Sequence, residues 1–221
     1  YDSLGEYQKA IDYYSKALEI QQVVFRDSHP NTATSYNNLG SAYQSLGEYQ
    51  KAIDYYLQDL KICKTVFRDN HPNTATSYNN LGSAYQSLGE YEKAIDYYSQ
   101  SLEIRKAGFG DNHPDTITSY SNLGTAYESL GEYQKAIDYH SKALEICKVV
   151  FGENHSSTAT SYNNIGKAYD SLGEYQKAID YYSKALEIEK ALFGVYHPSI
   201  ANSYNRLGSA CASLGQYQEA I

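Results

Sequence analysis

Five glycines, Gly40, Gly82, Gly124, Gly166 and Gly208, stand 42 residues apart, and the sequence around each nearly copies the next. Residues 36–56 read YNNLGSAYQSLGEYQKAIDYY and residues 78–98 read YNNLGSAYQSLGEYEKAIDYY, differing only at Gln50 and Glu92. A fixed period of this length is the signature of stacked supersecondary units, so it limits the fold more than any single residue does. No linker, low-complexity stretch or boundary interrupts the pattern. Residues 1–221 are therefore expected to be a single array of about five repeats. Tyr1 aligns with Tyr43 and Ile221 with Ile53, so the array is expected to begin and end inside a repeat. A chain without Met is expected to be a piece of a longer reading frame.

Each repeat reads as two helices. Pro30 suits a first helical position, and Gly47 can take the left-handed conformation that closes a helix, which predicts a first helix from Pro30 to Leu46. Tyr36, Leu39, Tyr43 and Leu46 recur at helical spacing along it. A second helix is expected from Glu48, where a carboxylate suits the helix N-terminus, to the Arg68-Asp69-Asn70 run. Tyr49, Ala52, Ile53, Tyr56, Leu60 and Phe67 form its apolar face. The turn between them is so short that the two helices must be antiparallel neighbours. Gly40, Ala42 and Ala52 remove side-chain volume where the helices would cross. One hairpin cannot bury both of its faces, whereas a stack of hairpins can.

Composition excludes several classes of function. A net charge of −8 disfavours binding to a phosphate backbone, so no nucleic-acid partner is expected. Three well-separated cysteines, Cys63, Cys147 and Cys211, do not make a disulfide framework and fit a reducing, cytoplasmic setting. No apolar run approaches the ~18–20 residues that span a bilayer, so no membrane partner is expected.

The string from Tyr36 to Tyr43, YNNLGSAY, fits the W-x2-L-G-x2-Y pattern of the tetratricopeptide repeat with Tyr for Trp, and Ala52 with Tyr56 fits its A-x3-F. The usual 34-residue unit closes with Pro, where this chain has Lys64 and a longer second helix followed by a His-Pro loop. That longer unit resembles the kinesin light chain repeat, as the passages ALEICKVVFGENH (143–155) and ALEIEKALFG (185–194) illustrate. The resemblance implies an all-α fold, a right-handed superhelical solenoid of antiparallel helix hairpins. It also implies a concave groove, lined by the first helices, that binds a partner peptide or protein segment.

By the same resemblance, Asn38, Asn80, Asn122 and Asn164 would contact peptide backbone, for which an Asn amide offers both a donor and an acceptor. Asn37, Asn79, Asn163 and Asn205 neighbour them. The alternative is hydrogen bonding between stacked helices. A polar row follows one turn along, Ser41, Ser83, Thr125, Lys167 and Ser209, and Arg206 stands in the Asn38 column of the last repeat. Ser83, Thr125, Lys167 and Arg206 complete the candidate groove, and the two cations could meet an acidic segment of the partner. Otherwise Lys167 is a solvated charge or pairs with Asp170.

One His per repeat, at His29, His71, His113, His155 and His197, is a poor metal site, because a closed zinc site wants four clustered ligands. These residues are expected to cap helices or pack in loops. His140 replaces a Tyr at the Tyr56 column. The paired tyrosines, such as Tyr55/Tyr56 and Tyr97/Tyr98, read as core or inter-repeat packing. No nucleophile–base pair, phosphate loop or carboxylate pair is evident, so neither an enzyme nor a cofactor is expected. A binding scaffold of the kinesin light chain type, acting as an adaptor, is the leading reading. The other is a structural or sensor array attached to an NTPase or protease outside these residues. Cut hairpins at both ends would favour end-to-end stacking of copies.

Overall fold

The computed structural model describes residues 2–25 and 28–215, with side chains from residue 6 onward. Among them are ten helices and no strand: α1 (Asp2–Phe25), α2 (Pro30–Ser45), α3 (Tyr49–Phe67), α4 (Pro72–Leu88), α5 (Tyr91–Phe109), α6 (Pro114–Ser129), α7 (Tyr133–Phe151), α8 (Ser156–Leu172), α9 (Tyr175–Phe193) and α10 (Pro198–Leu214). They form two compact units, residues 1–108 and residues 109–221. Within each unit every helix packs on its neighbours in sequence. The even-numbered helices are the first members of hairpins and the odd-numbered ones the second. Tyr1 and residues 216–221, on which the expected cut ends fall, lie outside the described residues.

The turn inside a hairpin works as the glycine predicts. Gly47 takes φ 80°, its N–H donates to the Gln44 carbonyl at 3.0 Å, and the Glu48 N–H reaches the Tyr43 carbonyl at 2.9 Å. Carbonyls left over at the end of α2 are thereby satisfied. The second helix starts one residue later than expected, because Glu48 keeps a non-helical backbone and pairs its carboxylate with Lys51 at 2.5 Å. At the N-terminal end, α1 runs unbroken through Gly5, in the column where a turn was expected.

The turn between hairpins has three parts, repeated along the chain. His71 Nδ1 accepts from the Asn73 N–H at 3.1 Å, capping α4, and the same cap occurs at His29, His113, His155 and His197. Each imidazole stacks on the Phe that ends the preceding helix, Phe67 on His71 at 4.6 Å for example. The fully buried Thr74 hydroxyl donates to the Arg68 carbonyl at 2.9 Å, as Thr116 does to Gly110 and Thr158 to Gly152. These histidines are thus structural, as sequence suggested. Among the described residues no group of three or more His, Cys, Asp or Glu could hold a metal ion.

Crossing of the two helices depends on the period-defining glycines. A Cβ on Gly40 would lie 2.5 Å from the Tyr56 ring, and one on Gly82 would lie 2.6 Å from Tyr98. Gly166 and Tyr182 repeat the contact, and Gly124 meets His140. Around these crossings the apolar clusters run from one hairpin into the next. In the first unit Ala52, Ile53, Tyr56 and Leu60 of α3 join Ala75, Tyr78, Leu81 and Ala84 of α4 and Ile104 of α5. In the second, Leu144 of α7 joins Ala159, Tyr162 and Ile165 of α8 and Ile188 of α9.

Arg68 is the one non-glycine residue with positive φ among the described residues, at φ 74° and ψ 170°. Gly152 and Gly194 hold the same conformation at the equivalent place. That region of backbone space is essentially reserved for glycine, and an L-residue there costs about 1–3 kcal/mol. Arg68→Gly is expected to stabilise the protein by about 1 kcal/mol after glycine's extra chain entropy is set against the relieved strain, read as a raised midpoint in urea unfolding.

Candidate functional site

The outward stripe of the first helices is built from small neutral side chains. On α2 it runs Thr34, Asn38, Ser41 and Ser45, and on α4 Thr76, Asn80, Ser83 and Ser87. Thr34 donates to the Pro30 carbonyl at 3.2 Å and Ser45 to the Ser41 carbonyl at 3.0 Å, so the hydroxyl hydrogens fold back on the helix and the oxygens remain as acceptors. The second unit repeats this with Thr118, Ser129 and Thr160. No large side chain interrupts the stripe in α2, α4 or α6.

The candidate asparagines divide by position. Asn38, Asn80 and Asn164 are partly exposed and their amides bond to none of the described residues. Asn122 and Asn79 are also partly exposed but already engaged. Asn37 is partly exposed beside a cavity, and Asn205 is exposed. Asn163 is placed differently: it is buried and donates to Glu189 Oε1 on α9 at 3.0 Å. Its neighbour in that pair, Glu189, also accepts from the buried Ser203 hydroxyl. Asn163 therefore belongs to the packing between α8 and α9 and not to the open stripe.

The polar row one turn along ties hairpins together. In the first unit the Tyr56 hydroxyl donates to Gln44 Oε1 at 3.1 Å, and Gln44 Nε2 donates to Ser83 Oγ at 2.9 Å. Thus a ring on α3 is joined through α2 to the next hairpin. In the second unit the same two columns hold Glu128 and Lys167, which pair at 3.0 Å. Lys167 is met by Glu128 of the preceding hairpin, not by Asp170. Sequence reasoning missed this because the partner lies 39 residues upstream; the coupled exchange of Gln and Ser for Glu and Lys in the two columns was the available signal. Arg206 is exposed. Thr125 donates to the Ser121 carbonyl at 3.0 Å.

The paired tyrosines are packing elements. Tyr55 stacks on Tyr43 at 5.3 Å and tilts against Tyr36 at 6.2 Å, while Lys51 lies over the Tyr43 ring. The same stack recurs at Tyr85/Tyr97, Tyr127/Tyr139 and Tyr169/Tyr181. Burial pushes the Tyr56, Tyr98 and Tyr182 phenols up to about 12, so they stay neutral, and Tyr56 and Tyr98 donate to Gln44 and Gln86. Cys63, Cys147 and Cys211 are free and buried, and burial raises the Cys63 thiol to about 11.

His140 breaks this pattern. It is 1% exposed, and neither ring nitrogen has a hydrogen-bond partner. The imidazole is shorter than the phenol that fills this slot elsewhere and stops short of Glu128. Burial drives its pKa from 6.5 down to about 4, with the Lys167 ammonium adding to the fall. A depressed pKa means that acid favours the unfolded chain, so stability is lost as pH falls from 6.5 through about 4. The full shift corresponds to about 3 kcal/mol. His140→Tyr restores the phenol found at Tyr56, Tyr98 and Tyr182. It is expected to raise the melting temperature at neutral pH and to widen its lead over the parent chain between pH 6.5 and 4. A gap that stays constant across a pH series would show that His140 does not titrate on unfolding.

In each unit the helices form stacked hairpins whose first helices carry an open stripe of small polar side chains. The tetratricopeptide repeat profile matches residues 3–65, 60–107, 73–148, 115–191 and 171–221, and the chain belongs to that family. Several solved structures are similar. BtubC (BKLC) from P. vanneervenii is 23% identical, with 97% of this chain and 86% of that chain covered at a TM-score of 0.81. The kinesin light chain-type protein of Podosopora anserina with nearly identical TPR-like repeats is 28% identical, with 87% and 91% covered at 0.77. Aspartyl phosphate phosphatase F from Bacillus subtilis is 20% identical, with 92% and 51% covered at 0.75. No curated protein matches the sequence. No helix among the described residues is long and apolar enough to cross a membrane.

Proposed function

We propose that this chain is a protein-binding scaffold, an adaptor of the kinesin light chain type whose first-helix face takes an extended segment of a partner. The observation that carries the reading is the repeated free amide: Asn38, Asn80 and Asn164 occupy one column, are partly exposed, and leave donor and acceptor without a bond to any described residue. Mid-helix Asn is a mediocre helix former, so its recurrence weakens the helices unless it serves a contact elsewhere. The small neutral stripe around it lets a peptide backbone lie close. An acidic side chain in the partner would meet Arg206, since Lys167 is committed to Glu128. Family membership and the kinesin light chain-type neighbour support the scaffold reading.

A peptide-array screen would supply a ligand, and Asn38→Ala combined with Asn80→Ala would test the site. Loss of two to four hydrogen bonds at ~0.5–1.5 kcal/mol each is expected to weaken binding about tenfold or more, with the melting temperature nearly unchanged. Saturable binding that survives the double substitution would sink this assignment. An array that only sets spacing for an effector domain would give no saturable peptide at all.

Self-stacking is a second reading, favoured by one observation. Ile20 on α1 is 64% exposed, whereas its equivalents Ile62, Ile104, Ile146 and Ile188 are all buried. A second copy presenting a first-helix surface to α1 would cover it as the α2–α3 contact covers Ile62. Light scattering is expected to show mass rising with concentration, and Ile20→Glu to abolish the rise. A strict monomer at all concentrations would dismiss this surface as an interface.

A further inference from the structure

The repeats are so alike that each serves as a control for the others, and one departure changes the chemistry of a buried position. Asp59 on α3 stands where α5 has Ser101, α7 has Ala143 and α9 has Ala185. All four are buried. Since small neutral residues suit the position in three hairpins, packing does not require a carboxylate. Asp59 Oδ2 accepts from the Ser77 hydroxyl at 2.6 Å and Oδ1 from the Cys63 thiol at 3.4 Å, and no cation among the described residues pairs with it. Nor does Ser77 depend on Asp59, because its hydroxyl also lies 3.1 Å from the Asn73 carbonyl. Its equivalent Ser161 donates to the matching carbonyl, that of Ser157, at 3.0 Å. A buried carboxylate without a counter-charge is costly, and nothing in the hairpin asks for it.

What Asp59 does have is a cavity. A recess of about 230 Å³ opens beside it between α2 and α4, on the same side as Thr34 and Thr76 of the outward stripe. Asp59 and Phe67 of α3 lie at its base, with Ala33 and Asn37 on one wall and Asn73 on the other. In the second unit Glu189 reaches Asn163 and Ser203, the equivalents of Asn37 and Ser77, so there a longer carboxylate fills the matching slot with its own bonds. Asp59, attached one turn earlier, takes the bond of the equivalent serine, Ser77, and still borders open space.

We propose that this cavity is a subsite for one basic side chain, lysine or arginine, of the partner segment. The alkyl stem lies along Ala33 and Phe67, and the head group pairs with Asp59 while the Asn37 and Asn73 amide oxygens accept its remaining hydrogens. An anion is repelled, an apolar side chain leaves the carboxylate stripped of water, and a metal ion finds only one carboxylate. The inference rests on reading the first-helix face as a binding surface and adds the chemistry of one position in the ligand.

Two probes separate the cavity from the face. Butylguanidinium tests the cavity alone. It is expected to shift the amide signals of Cys63 and Ser77 saturably, and to lose that effect in Asp59→Ala. Labelled Ser/Ala nonapeptides with central Lys, Arg, norleucine or Glu test selectivity. Lys and Arg peptides are expected to bind at least about tenfold tighter than norleucine, with the ratio near one in the variant. The variant is expected to melt no lower than the parent, as the hairpins with Ala143 and Ala185 imply; Asp59→Ser, copying Ser101, carries the same test if it does not fold. Absence of a saturable butylguanidinium shift, or equal binding of Lys and norleucine peptides, overturns the subsite. Asp59-dependent butylguanidinium binding with no peptide binding supports the cation site and overturns the partner-segment reading.

Discussion

The missing Cβ at Gly40, Gly82, Gly124 and Gly166 sets the geometry of every hairpin that holds one. An aromatic ring lies against bare backbone there, which fixes how near the two helices come. Only at that distance does the phenol of Tyr56 extend past the crossing to Gln44, and only from there does Gln44 reach Ser83 in the next hairpin. A steric absence at one atom thus determines a chain of polar contacts that joins neighbouring hairpins within the first unit. The apolar clusters use the same spacing, since Ala75 and Ala84 on α4 sit between the large residues of α3 and Ile104 of α5. Backbone approach, aromatic packing and inter-hairpin hydrogen bonding are therefore one constraint expressed at three distances.

Because the scaffold is the same throughout, chemistry is concentrated in the departures from it. Asp59 and Glu189 place carboxylates against equivalent buried serines from positions one helical turn apart. Burial raises the Asp59 carboxyl above the usual range, with Ser77, Cys63 and Asn37 opposing the rise. Glu189 is held by two side-chain donors and fills its surroundings, whereas Asp59 borders open space. Two carboxylates with similar neighbours thus end in different surroundings because one side chain is a methylene longer and attached a turn further along.

Much of the fold could be read without coordinates. Glycine punctuation, apolar stripes and the His-Pro loops report local backbone preferences, and those survive into the structure nearly unaltered. The exceptions are instructive. Glu48 was expected to begin α3 but stays outside it, because its N–H is held by the Tyr43 carbonyl in the turn and its backbone is not helical. The candidate face was less legible. Lys167 read as a groove cation, yet its partner Glu128 belongs to another hairpin, and periodicity alone does not say which columns meet across that junction. Asn163 looked like its equivalents Asn37 and Asn79 until Glu189, a substitution on a different helix, proved to draw it inward. Asp59 drew no notice because the apolar face of α3 was read as a stripe of hydrophobic residues, in which a single acid looks like an interruption. Each of these turns on which side chain faces which, information that a repeat carries only where two columns change together.

A chain of near-copies faces a problem of bookkeeping during folding, since any hairpin could dock on almost any other. The Glu128–Lys167 pair bears on this directly. Were the hairpin of Lys167 to settle on that of Gln44, the ammonium would face a neutral amide and Ser83 would lose its donor. Were Ser83 to settle on Glu128, a carboxylate set at the interface would go without its cation. The exchange is thus an address label: it leaves the correct neighbour satisfied and marks the wrong ones by an unpaired charge. Identity between repeats builds the stack, and this small difference helps to fix the order in which it is assembled.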